Sequence, residues 1–145
     1  ANSHVFDSLY AAKEIELELV PQGTLAERLR CAGAGLGGFF TPTGVGTPIA
    51  QGKRTEVING REFLFETPLH AEFALVQADA ADRWGNLTYR KTARNFGPVM
   101  CAAATTTIVQ VARIVPLGSI DPEHVVTPGI FVSRVVEVSH PLYSS

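Results

Sequence analysis

Apolar and polar positions along this chain recur with two different periods, and the switches between them mark its elements. Residues 4–12 carry Val5, Phe6, Leu9 and Tyr10 on one helical face, which predicts an amphipathic helix with Ser3 as its cap. Residues 14–20, Glu-Ile-Glu-Leu-Glu-Leu-Val, alternate strictly. That period of two predicts a strand with Ile15, Leu17 and Leu19 on one face and Glu14, Glu16 and Glu18 solvated on the other. Thr24 and Glu27 have capping-box spacing, and Leu25 and Leu29 follow at helical spacing. A helix over 24–32 is expected, ending near Gly33 as its C′ residue.

Asn59-Gly60 lies between the apolar runs 54–58 and 62–66, the strongest short-range signal for a hairpin. Residues 72–79 predict a strand, residues 82–86 (Asp-Arg-Trp-Gly-Asn) a turn, and residues 86–90 a returning strand. Pro98 is placed at the first position of a short helix running through Ala104. The β-branched run from Thr105 to Ile114 predicts a strand, Asp121-Pro122-Glu123 a short helix or turn, and 130–138 a last strand. The tail, 139–145, is expected to fray. Strands alternating with helices predict an α/β class: an open, mostly parallel sheet with a β-hairpin addition. No internal repeat or linker divides residues 1–145, so they read as part of one domain.

Composition narrows the function classes. Hydrophobic residues make up 46%, charged residues 18%, and the net charge is −2, with both signs mixed along the chain. That balance points away from nucleic acid and from a membrane surface, and no apolar run reaches transmembrane length. The two cysteines, Cys31 and Cys101, lack metal-ligand spacing and read as reduced thiols of a cytoplasmic protein. Four histidines, His4, His70, His124 and His140, have no His or Cys at ligand spacing, which leaves no case for zinc.

Residues 33–46 hold six of the 13 glycines. A backbone this bare allows close approach by a ligand or by another segment, or it serves as a tight connector. It matches no phosphate-binding fingerprint. There is no nucleophile elbow, and Cys101, set among alanines, reads as a small buried residue. Gln22 stands just beyond the carboxyl end of the predicted 14–20 strand, where open α/β sheets collect ligands. It either ties down the loop or donates two hydrogen bonds to a carboxylate or acyl oxygen. Arg90, Lys91, Arg94 and Asn95 form either a solvated turn or a cationic rim for an anion or a protein contact.

Several of these stretches carry a family likeness. Residues 21–28 (Pro-Gln-Gly-Thr-Leu-Ala-Glu-Arg), Gly33-Ala34-Gly35, residues 41–47 (Thr-Pro-Thr-Gly-Val-Gly-Thr), Gly85-Asn86-Leu87, residues 91–96 (Lys-Thr-Ala-Arg-Asn-Phe) and residues 124–130 (His-Val-Val-Thr-Pro-Gly-Ile) resemble, in order, the A subunit of the class I 3-oxoacid coenzyme A transferases. The likeness runs from about the first residue to Val138. Val5-Phe6-Asp7, Leu9-Tyr10 and residues 82–86 resemble most the 3-oxoadipate branch, which serves aromatic-compound breakdown. The acetoacetate and acetate branches share most of these motifs.

The resemblance implies an open α/β fold and a B-subunit partner in a hetero-oligomer. It implies transfer of coenzyme A from succinyl-CoA to a 3-oxoacid through a glutamyl-CoA intermediate, with the CoA thioester as substrate and no permanently bound cofactor. The family's nucleophilic glutamate belongs to a Ser-Glu-Asn-Gly motif of the B half. That tetrapeptide does not occur here, so no catalytic residue is assigned to this chain, which is expected to be inactive alone. Gln22 matches a glutamine lining the family's active site. Gly23, Gly35 and Thr43 are expected as shape-forming neighbours, and Asn95 as a substrate or interface residue. The family's early Gly-Gly-Phe unit has only an echo in Gly37-Gly38-Phe39. Residues 1–145 therefore read as the C-terminal part of a single A-subunit domain whose N-terminal strands are missing. Two alternatives stay open. One is a non-catalytic α/β module that binds a carboxylate or a partner. The other is a sugar-phosphate isomerase-like fold, disfavoured by the lack of phosphate-binding signals.

Overall fold

The computed structural model describes residues 4–138. The Ser3 cap, the tail 139–145 and His140 lie outside the described residues. The chain runs α1 (His4–Ala11), α2 (Gln22–Gly33), β1 (Phe39–Thr41), β2 (Thr55–Ile58), β3 (Arg61–Glu66), β4 (Ala71–Asp82), β5 (Leu87–Thr88), α3 (Ala93–Ala103), β6 (Ala104–Val115) and β7 (Arg134–Glu137). Single 3-10 turns occur at Pro48–Ala50, Pro122–His124 and Gly129–Phe131.

The main sheet has the order β5-β4-β6-β7, with β4–β6 and β6–β7 parallel and β5 antiparallel on the edge. Helix α3 is the crossover between β4 and β6, so the expected α/β class and mostly parallel sheet hold. The hairpin holds too: β2 and β3 pair Ile58 with Arg61 around Asn59-Gly60, both at positive φ, and β1 adds a third strand.

Alternation on β4 and β6 selects one face for the core. Ala74, Val76 and Ala78 on β4, with Thr107, Val109 and Val111 on β6, are buried. Small residues let α3 sit close. A Cβ on Gly97 would come 2.6 Å from Cε1 of Tyr89 and 3.3 Å from Cγ1 of Val76. Helix α2 packs on α3 in turn, and a Cβ on Gly33 would come 2.6 Å from the Cβ of Ala102. The layers are thus sheet, α3 and α2. Phe73, Leu75 and Val136, on the opposite face of the sheet, are exposed.

Several sequence expectations need correction. Residues 14–20 form no strand. Alternation supplies an apolar face but a strand also needs a ladder, and none of the described residues pairs with this segment; Leu17 and Leu19 are exposed. The Thr24–Glu27 capping box does not form. Helix α2 begins earlier, at Gln22, with Pro21 at the N-cap, while Thr24 is buried and Glu27 pairs with Arg30 at 2.7 Å. The C′ residue is Gly35, not Gly33. Gly35 has φ +68°, its N–H donates to the Ala32 carbonyl at 3.1 Å, and the Leu36 N–H donates to the Cys31 carbonyl at 3.0 Å, which is a Schellman closure. Helix α3 starts at Ala93, leaving Pro98 inside it. Strand 86–90 shrinks to Leu87–Thr88, and 130–138 shrinks to Arg134–Glu137, because Gly129–Phe131 turns instead.

Candidate functional site

Gln22 and Gly23 form the first turn of α2, and both are exposed. The segment leading into them is held from within the helix by Arg28, a nearly buried side chain. Its Nη1 donates to Oε1 of Glu18 at 2.9 Å, and its Nε donates to the Thr67 carbonyl at 3.0 Å. The Arg28 carbonyl in turn accepts from the Leu69 N–H at 3.0 Å.

The other expected residues stand elsewhere. Gly35 closes the far end of α2, about 20 Å along the helix from Gln22 at 1.5 Å per residue, so helix length keeps these two apart. Thr43 is exposed in the turn after β1, where its N–H donates to Oγ1 of Thr41 at 3.2 Å. The same turn is braced by Oγ1 of Thr47, which donates to the Gly44 carbonyl at 2.7 Å. Asn95 is exposed in the first turn of α3, its N–H donating to the Thr92 carbonyl at 2.9 Å. Gln22 and Gly23 are therefore brought together by α2, while Gly35 is not.

Of the cationic rim, Arg90 approaches Asp79 at 3.9 Å, and Arg113 of β6 holds the same carboxylate at 3.0 Å. A cavity of about 370 Å³ opens beside Arg113, with Thr88, Ser119, Asp121 and His124 in its wall; its lining includes none of the five expected site residues. Among the described residues no cluster of three or more His, Cys, Asp or Glu side chains is arranged to hold a metal. No described helix is long and apolar enough to cross a membrane.

The family model for coenzyme A transferases matches residues 1–138. The chain belongs to the coenzyme A transferase family. It is 61% identical over 145 residues to the A subunit of the 3-oxoadipate CoA-transferase of Pseudomonas putida, covering 100% of this chain and 63% of that protein. It is 49% identical to the alpha subunit of the acetate CoA-transferase of Escherichia coli K12, over 85% of this chain and 56% of that protein. The chain thus spans under two thirds of the length of these relatives. Among solved structures, glutaconate coenzyme A-transferase from Acidaminococcus fermentans superposes with a TM-score of 0.80 at 18% identity, over 93% of this chain and 50% of that one. At that identity the likeness shows the fold.

Within this coenzyme A transferase chain, Cys101 carries no nucleophile. Burial raises its thiol pKa, and it faces the Tyr89 hydroxyl, Sγ to Oη 3.7 Å, whose own pKa burial also raises. The reading of Cys101 as a small buried residue holds. Sequence reasoning passed over two polar groups that shape the loops. One is Arg28, whose spacing of four from buried Thr24 was a signal for the inward face of α2. The other is Asp82. Its carboxylate accepts from the N–H groups of Trp84 (2.9 Å) and Asn86 (3.0 Å) and from Nδ2 of Asn86 (2.8 Å). Oδ1 of Asn86 accepts from the Gly129 N–H at 3.0 Å, which pins the 82–86 turn to Pro128-Gly129.

Proposed function

We propose that this chain serves in the A subunit of an enzyme that transfers coenzyme A from succinyl-CoA to 3-oxoadipate. The observation that carries the reading is the identity to a 3-oxoadipate-specific relative, higher than to an acetate-specific one and maintained over the whole chain. The B-subunit partner supplies the nucleophile. Its glutamate carboxylate attacks the thioester carbonyl, forming a mixed anhydride and releasing coenzyme A thiolate. The thiolate attacks the glutamyl carbonyl, giving glutamyl-CoA and the free acid. The acceptor carboxylate then runs the two steps in reverse.

In this reading the present chain binds and orients. The Gln22 amide, exposed at the head of α2, donates to the oxoacid, and the adjoining helix N-terminus favours an anion. Gly23 adds no side chain, and a Cβ there would meet nothing within 4 Å, so the approach to Gln22 stays open. Gly35 and Thr43 shape neighbouring loops, and Asn95 serves a substrate or the contact with the B partner. The CoA thioester is a substrate, and no permanent cofactor is required.

The test is Gln22→Ala in the assembled enzyme. Loss of hydrogen bonds to a charged acceptor lowers kcat/KM for the oxoacid roughly 10- to 100-fold with assembly intact. An unchanged kcat/KM overturns the role of Gln22. A preference for acetate over 3-oxoadipate overturns the choice of acceptor.

A further inference from the structure

We infer that Arg28 is a positioning residue for Gln22, acting as a strap that joins the segment entering α2 to the connector leaving β3. The inference rests on the reading of Gln22 given above. A long side chain on a helix leans toward the helix N-terminus, so Arg28 reaches back past Thr24 toward the first turn. There its guanidinium spans two acceptors on different segments, Glu18 at 2.9 Å and the Thr67 carbonyl at 3.0 Å. The main chain repeats the link, since Leu69 N–H donates to the Arg28 carbonyl at 3.0 Å.

Residues 14–20 need such a strap. They pair with no strand among the described residues, and Leu17 and Leu19 are 44% and 71% exposed, so apolar packing does not anchor them. Glu18 is tied four residues before Gln22 and is itself 66% exposed. An ion pair with so exposed a partner adds little to global stability. Its effect falls on geometry: with Glu18 held, Pro21 delivers the chain into α2 in one direction and the Gln22 amide starts from one place. A fork is needed for this, because a lysine ammonium at the same site is a point charge without the guanidinium's two fixed donor directions.

The experiment compares Glu18→Ala, Glu18→Gln, Gln22→Ala and the double variant Glu18→Ala/Gln22→Ala in the assembled enzyme. It reads KM for the oxoacid, KM for the acyl-CoA, kcat and the unfolding temperature. Glu18 is chosen because its exposure spares the fold, whereas Arg28 is buried. Glu18→Ala raises KM for the oxoacid about three- to tenfold, the scale of one charge-assisted hydrogen bond, with Tm unchanged. Glu18→Gln, which keeps an acceptor oxygen for Nη1, recovers most of that loss. The double variant is no worse than Gln22→Ala alone, because Glu18 acts through Gln22. If Gln22→Ala impairs the enzyme while Glu18→Ala does not, or if the two losses add, the strap is overturned and the reading of Gln22 stands. If Gln22→Ala is silent, that reading fails and the strap falls with it.

Discussion

The Tyr89 hydroxyl and the Thr127 hydroxyl meet at 2.9 Å inside the core, 38 residues apart in sequence. Tyr89 follows edge strand β5, and Thr127 lies in the loop that bridges back to Leu87. The pair fastens the sheet edge to the 121–132 segment. Tyr89→Phe removes one hydroxyl and strands a buried Thr127 oxygen, so it is expected to cost about 1–3 kcal/mol. Adding Thr127→Val should restore part of the loss, because both polar groups are then gone. Urea unfolding of the two variants checks this, and a fully additive cost in the double variant would refute the coupling.

The same site sets an alkaline limit. Burial raises the Tyr89 and Cys101 pKa values in the folded state. The unfolded chain therefore gives up these protons first, at about pH 8.5 for cysteine and about pH 10 for tyrosine. Below those values the stabilisation is complete; above them it falls as pH rises toward the folded pKa values. Stability measured in steps from about pH 8 to about pH 11 should decline, and Cys101→Ala with Tyr89→Phe should flatten the slope relative to their own values at about pH 8. An equal slope in parent and variant would show that these groups are not the cause.

Gly33 marks the crossing of α2 and α3. Gly33→Ala gains about 1 kcal/mol of helix propensity. It also drives a methyl to 2.6 Å from the Ala102 Cβ and 3.0 Å from its carbonyl carbon. Backbone cannot move aside cheaply, and overpacking costs about 1–3 kcal/mol. The expected net result is a lower Tm. A higher Tm for Gly33→Ala would mean that the helices separate without penalty.

Asp82→Asn is expected to loosen the 82–86 turn. The new amide can still accept through one oxygen, but its NH₂ group would face the Nδ2 donor of Asn86, now 2.8 Å from Oδ2. A cost of about 1–3 kcal/mol follows, with faster hydrogen exchange at Trp84, Asn86 and Gly129. The single tryptophan, Trp84, reports the change by fluorescence. Unaltered exchange at Gly129 would mean that Asn86 holds that loop without Asp82.

Long elements with strong local signals were legible in advance. The Asn59-Gly60 hairpin, β4 and β6 were visible because turn chemistry and β-branched runs act over a few residues. The motifs around Gln22 and Thr127-Pro128-Gly129 were enough to indicate the family. Segment 14–20 misled because alternation reports a face and not a ladder partner. The capping box at Thr24–Glu27 misled for a related reason: burial of Thr24 on the inward face of α2 is a property of the packed state, and Pro21 had already started the helix. Gly33 was read as a terminator from its backbone freedom, whereas its use is the close approach of Ala102.

The sequence by itself determined the α/β class, the hairpin, the order of the long strands along the chain and the family, since these depend on local periodicity and contiguous motifs. Tertiary structure alone decided that α2 packs on α3 rather than on the sheet, and that Gln22 and Gly35 stand at opposite ends of one helix. It alone decided that Arg28, Asn86 and Tyr89 reach partners 39, 43 and 38 residues away. Those relations depend on which surfaces meet once the chain closes on itself, and no local pattern of residues encodes that distance.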